Sequence, residues 1–270
     1  MKLRYQRYSP DERRRKFNMS SLMSQVVSNA LYVVSFLLII AGLFVLSVLV
    51  EKVLDHRNKS TEKTSPARKV AFIGLLSALS AVLMLFEIPM PFAPFFYKLD
   101  LSELPVLIGA FAFGPAAGVL IEFMKIVLKL FMKSTSTAFV GELANFAVGS
   151  SFIIPAASVY YAKKTKKNAA VACIIGTVCI TLFGTFFNAV YLLPAFSKLF
   201  GMPLEAILAM GAEVNPLAGD NIMTFVIACV APLNLIKGLV NSGLTLLVYK
   251  KISPVLKGAG IHLETDKKPA

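Results

Sequence analysis

Long apolar runs alternate with short polar connections along this chain. The runs fall at about 26–50, 69–86, 115–132, 138–162, 168–193 and 222–249, with a shorter one at 103–113. A helix needs roughly 20 apolar residues to cross the hydrocarbon core of a bilayer, and only helices or closed barrels satisfy their backbone there. The pattern therefore predicts an all-α, polytopic membrane protein. The 103–113 run rises only about 16 Å as a helix, against a core of about 30 Å. It is expected to pack inside the protein, with Ser102 as N-cap, Glu103 in the first turn and Pro105 tolerated there. The loop before it holds Pro89, Pro91, Pro94, Phe95, Phe96, Tyr97 and Lys98, the composition of a stiff aromatic lid. A short surface helix is expected within Pro203-Leu-Glu-Ala-Ile-Leu-Ala-Met210.

Composition agrees with this pattern. Of 270 residues, 56% are hydrophobic and 16% charged, and the mean hydropathy is +0.70, too apolar for an ordinary soluble domain. The formal charge of +13 is confined to the tails and short connections. Such a surface suits anionic headgroups and cytoplasmic loops rather than nucleic acid. Cys173, Cys179 and Cys229 lie inside apolar runs without CxxC spacing or a metal pattern.

Positive charge also sets the topology. Lys163, Lys164, Lys166 and Lys167 place one connection in the cytoplasm, and Lys250, Lys251 and Lys257 place the C-terminus beside it. The 194–221 connection, with Lys198 against Glu205, Glu213 and Asp220, belongs outside. By parity the 87–102 loop and the 133–137 turn are outside too. The 26–50 helix breaks the pattern: if it spans, Arg13, Arg14, Arg15 and Lys16 lie outside. Either stronger downstream signals orient it, or it does not cross as a simple span. The expected organisation is a basic tail (1–25), an extra hydrophobic helix (26–50), a polar linker (51–68), a six-helix membrane domain (69–256) and a C-terminal tail (257–270).

Candidate chemistry lies in polar side chains within apolar runs. Asn234, Lys237 and Asn241 fall at i, i+3 and i+7, on one face of a helix. A lysine inside a membrane span costs roughly 2.5–3.5 kcal/mol even on the lenient insertion scale, so it is expected to face a polar cavity. Asn188 sits in an otherwise apolar stretch with Tyr191 one turn on, and with Asn234 and Lys237 it is read as part of one site. Asn241, further toward the cytoplasm, is read as structural. Glu142 and Asn145 stand one turn apart near the outer end of their helix, where ligand contact and structural bonding are equally expected. Glu122, Lys125 and Lys129 share a helical face, where mutual neutralisation in an internal ion pair is expected ahead of direct ligand contact. Gly74, Ala78 and Ala81 present small residues that let helices approach closely. No phosphate loop, HExxH or GxSxG motif is present. No metal site and no catalytic residue are expected.

From about residue 68 to 256 the chain resembles the substrate-binding (S) components of energy-coupling-factor (ECF) vitamin transporters, in the riboflavin branch. The resemblance rests on ordered blocks: Lys98-Leu-Asp-Leu-Ser-Glu-Leu-Pro105, Gly141-Glu-Leu-Ala-Asn-Phe146, Phe187-Asn-Ala-Val-Tyr-Leu-Leu-Pro194, Phe200-Gly-Met-Pro203 and Ala231-Pro-Leu-Asn-Leu-Ile-Lys237. It implies a six-helix S-component bundle in the bacterial cell membrane, with the 26–50 helix additional to it. It implies riboflavin as transported substrate rather than cofactor, and as partners a transmembrane coupling subunit and two ATPase subunits. Asn188, Asn234 and Lys237 would then bond the flavin ring, with Glu142, Asn145 and Tyr191 as further contacts. Phe96, Tyr97 and Lys98 would cover the ribityl end, and Gly74 and Ala78, with Ala81, would dock the coupling subunit. The flavin edge alternates carbonyl acceptors with an imide donor, which carboxamides and an ammonium complement. The same scaffold serving another vitamin or a flavin precursor remains the alternative, and a membrane enzyme or self-sufficient channel a third reading.

Overall fold

The computed structural model describes residues 30–58, 65–135 and 139–258. The basic tail, residues 59–64 of the linker and the chain beyond 258 lie outside the described residues. Ile39–Ala270 forms one unit. The stretch up to Leu38 is a second, of which only the start of the first helix is described.

The helices are α1 (Ala30–Asn58), α2 (Pro66–Leu85), α3 (Glu103–Phe113), α4 (Pro115–Met132), α5 (Val140–Ala162), α6 (Lys166–Phe187), α7 (Leu193–Phe200), α8 (Leu204–Val214), α9 (Ile222–Phe225) and α10 (Ala231–Gly258). The membrane-protein reading holds, because Leu75, Leu79, Ile174, Leu182, Phe186, Leu239 and Leu247 are all exposed on helix surfaces. Five helical stretches are long and apolar enough to cross a membrane: Leu31–Arg57, Pro66–Leu85, Val140–Ala162, Lys166–Leu199 and Ile222–Val248. The 115–132 run falls outside that set because Glu122, Lys125 and Lys129 interrupt it.

α3 is the short helix, and it is central as its length requires. It packs against α2, α4, α5 and α10, and every residue from Pro105 to Phe113 is buried. The Phe111 and Tyr160 rings stack at 4.4 Å in the middle of this core. Ser102, however, is not an N-cap: its backbone is helical and its side chain makes no cap bond. Asp100 takes the capping role, its Oδ1 accepting the Ser102 N–H at 2.8 Å and the Ser102 hydroxyl as well. A carboxylate accepts both bonds at once, which the shorter serine side chain cannot do for the turn containing it.

The loop expected to be irregular contains a small antiparallel hairpin, β1 (Ile88–Pro89) with β2 (Lys98–Leu99). The 87–102 loop, Lys133 and the connection that holds Asn215 meet at one end of the bundle. Glu87 pairs with Lys98 and with Lys133, each at 2.7 Å, and Asn215 Nδ2 donates to the Phe92 carbonyl at 3.4 Å.

α1 continues to Asn58, eight residues past the apolar run. Its Phe44 ring lies 5.6 Å from Phe123, and Glu51 Oε2 accepts the Ala116 N–H at 2.8 Å. From Phe44 to Glu51 the helix therefore runs antiparallel to α4, and Glu51 caps the start of α4 at the end opposite Lys133 and the 87–102 loop. This contact needs Gly114, whose φ of +99° and missing Cβ admit the Glu51 carboxylate.

Candidate functional site

Two of the spanning helices are interrupted at the same chemical feature. A π-turn, Asn188–Leu192, joins α6 to α7, and a second, Val226–Val230, joins α9 to α10. Each ends two residues before a proline, Pro194 and Pro232. Proline donates no N–H, and its ring clashes with the carbonyl four residues back, so the ladder widens ahead of it. The N–H groups of Leu193 and Ala231 accordingly reach back five residues, to Asn188 and Val226. The carbonyl of Ala228, four residues before Pro232, accepts instead from Asn215 Nδ2 at 3.1 Å. Each widened turn shifts the side chains that follow it. Asn188 opens one such turn, and Asn234 and Lys237 follow the other.

These side chains converge on one cavity of about 770 Å³, open mouth included. Of the residues expected at a site, Phe96, Tyr97, Lys98, Asn145, Asn188, Asn234 and Lys237 line it. Its apolar wall comes from Val140, Ala144 and Val148 of α5, Leu192, Leu193 and Phe196 around the first π-turn, and Val230 and Leu233 around the second. Two expected residues are elsewhere. Glu142 turns away to accept from Lys129 at 3.1 Å and from Thr135 at 2.9 Å, and the Tyr191 ring stacks on Phe187 at 5.3 Å. Gly141 and Asn145 stand four residues apart on one face, whereas Glu142, next to Gly141 in the chain, points about 100° around the helix from it.

The polar groups are held in distinct ways. Asn188 donates through Nδ2 to the Gly184 carbonyl at 2.7 Å and accepts through Oδ1 from the Tyr97 hydroxyl at 2.8 Å. Asn234 is 5% exposed, and its Nδ2 has no partner among the described residues. It fits only because residue 184 is glycine, where a Cβ would stand 2.5 Å from that nitrogen. The Lys237 ammonium lies 3.2 Å from Asp100 Oδ2, 3.3 Å from Glu103 Oε1 and 3.4 Å from Asn145 Oδ1. Asn241 is buried but off the cavity, donating to the carbonyls of Asp100 and Lys237 at 3.2 and 3.0 Å.

The loop closes over one side. Phe96 stacks on Phe196 at 5.0 Å, while Phe95 is 62% exposed. Lys98 is tied to Glu87, whose carboxyl burial alone would raise in pKa. The ion pairs with Lys133 and Lys98 outweigh that burial and hold it below the usual carboxylate value.

Two further expectations change. Glu122 and Lys125 do pair, at 2.8 Å, but Lys129 crosses to Glu142 on α5, because the i+7 spacing places it two turns away. Gly74 and Ala78 are exposed on α2, with open space at Gly74. Ala81 is 1% exposed and belongs to the buried face, beside Ser80, whose hydroxyl donates to the Ser102 carbonyl. Asp100 and Glu103 were absent from the expected site. A buried lysine requires a carboxylate, and that demand was the available signal.

Three amides, two ammonium groups and apolar walls can orient a flat polar-edged molecule. Among the described residues no group of three or more His, Cys, Asp or Glu is placed to hold a metal ion. The family described as "ECF transporter, substrate-specific component" matches residues 68–249. The chain belongs to this family. It is 31% identical over 199 residues to the riboflavin transporter FmnP of Bacillus subtilis (strain 168), covering 72% of this chain and 98% of that one. It is 30% identical over 190 residues to the riboflavin transporter RibU of Staphylococcus aureus (strain TCH60), covering 70% and 93%. A solved S component of a bacterial ECF transporter superposes with a TM-score of 0.56 at 31% identity, covering 72% of this chain and 99% of that one. α1 precedes the matched residues, so this S component carries a helix outside the family's region.

Proposed function

We propose that this S component binds riboflavin and delivers it for uptake, without catalysis of its own. The observation that carries the reading is the Asn234 carboxamide, buried with an unpartnered Nδ2 in an apolar cavity that Asn188 and Lys237 also face. An orphan buried donor costs about 1–3 kcal/mol, which a ligand acceptor removes. The flavin carbonyls supply such acceptors, and the aliphatic and aromatic walls suit its flat ring. Asn145 and Lys98 reach the same space from α5 and the outer loop and serve the polar ribityl end, under Phe96 and Tyr97.

In this reading the vitamin enters from outside in the bacterial cytoplasmic membrane and is covered by the 87–102 loop. A transmembrane coupling subunit and two ATPases then drive delivery inward. The exposed Gly74 and Ala78 of α2 offer that subunit a close approach.

Flavins are yellow and fluorescent, so purified protein titrated with riboflavin should quench its emission to a saturable end point. Asn234→Ala and Lys237→Ala should each weaken this at least tenfold. Colourless protein that quenches nothing overturns the assignment. Retained riboflavin affinity in both variants points to another vitamin on the same scaffold.

A further inference from the structure

Beneath the cavity five charged side chains stand end to end: Asp100, Lys237, Glu103, Lys125 and Glu122. Lys237 bridges Asp100 and Glu103 at 3.2 and 3.3 Å. Lys125 bridges the same Glu103 oxygen at 2.9 Å and Glu122 Oε2 at 2.8 Å. No side chain among the five is more than 9% exposed. Three carboxyl groups against two ammonium groups leave one negative charge over.

We infer that this row holds a resident proton, carried by Glu122 and directed toward Glu103. An uncompensated charge in a dry core costs several kcal/mol, which binding one proton from solvent removes. The row itself selects the carrier. Asp100 is committed as an anion, because Oδ1 accepts the Ser102 N–H and hydroxyl while Oδ2 faces Lys237. Glu103 Oε1 is shared between both ammonium groups. Glu122 faces only one ammonium, through Oε2, and neither of its oxygens meets a hydrogen-bond partner among the described residues, whereas on Glu103 only Oε2 lacks one.

Glu122 also leans toward its like-charged neighbour. A Cβ at Gly149 would collide with Glu122 Oε1 and stand 3.1 Å from Glu103 Oε1, so both carboxyls crowd the same backbone position. Two anions held that close repel, whereas one proton between them makes a donor and an acceptor.

Other charged groups near α4 are already spent. On α4 itself Lys129 pairs with Glu142 of α5. From α1, Glu51 caps Ala116 and lies 3.7 Å from Lys69 of α2. From α10, Lys237 is the one charged side chain among the described residues that enters the row. From α5, Ser150 is fully buried and its hydroxyl is unpartnered among the described residues. The neutral end balances the row, so Lys237 faces the cavity without leaving net charge beneath it. This does not depend on which ligand the cavity takes.

Infrared spectra of the full-length protein near neutral pH test it. Wild type should show the carbonyl stretch of a neutral carboxylic acid, Glu122→Gln should lose it, and Glu142→Gln should keep it. Glu122→Gln should also unfold within about 2 °C of wild type, since it replaces one neutral group by another. Glu103→Gln should lower the midpoint far more. No acid band, a band that survives Glu122→Gln, or a Glu122→Gln protein that fails to fold or unfolds as early as Glu103→Gln overturns the inference.

Discussion

The Tyr97 hydroxyl and the Asn188 carboxamide are bonded across 2.8 Å although 91 residues separate them. That bond joins the 87–102 loop to the first π-turn and turns the Asn188 amide to one fixed orientation. Tyr97→Phe keeps the ring but leaves Asn188 Oδ1 without its donor. The expected cost is about 1–2 kcal/mol, roughly 5- to 30-fold in riboflavin Kd, read by fluorescence titration.

Gly184 makes room for Asn234. Gly184→Ala should raise helix propensity by about 1 kcal/mol yet weaken riboflavin binding about tenfold or more, because the methyl group displaces the carboxamide. Thermal unfolding and titration on the same sample separate the two effects.

Pro232 keeps the second π-turn open. Pro232→Ala restores an N–H that can claim the Ala228 carbonyl from Asn215, closing the turn into regular helix. Asn234 and Lys237 would then rotate away from the cavity. Expected is a protein at least as heat-stable as wild type with riboflavin affinity reduced about tenfold, measured by the same pair of assays.

Glu87 holds the loop by pairing with Lys98 and Lys133. Its carboxyl titrates below the usual value in the folded protein. The stabilisation is therefore complete above the ordinary carboxylate range and fades as pH falls through the lowered folded value. Riboflavin dissociation should speed up on acidification below that range. In Glu87→Gln it should already be fast at neutral pH and vary little with acid, as stopped-flow fluorescence would show.

Glu51 tests the role of the additional helix. Glu51→Ala removes the cap on α4 and should cost about 1 kcal/mol, a fall of about 2–4 °C in unfolding midpoint. Riboflavin affinity should not change, because Glu51 is not among the cavity-lining residues.

The amino-acid pattern by itself determined the class of this protein. Runs of bilayer length and the costly Lys237 are local properties, and so the spans, the buried short helix and several cavity-lining side chains follow from spacing and transfer energy. Tertiary structure decided which polar groups meet. Lys129 chose Glu142 over its own helix, Ala81 went inside while Ala78 stayed out, and Asp100 and Glu103 came to Lys237 from far along the chain. Two prolines widened two helices and set where Asn188 and Asn234 face. In a low-dielectric interior each charge takes the partner that packing brings within about 3 Å. Which partner arrives depends on how the helices cross, and that is a property of the whole bundle.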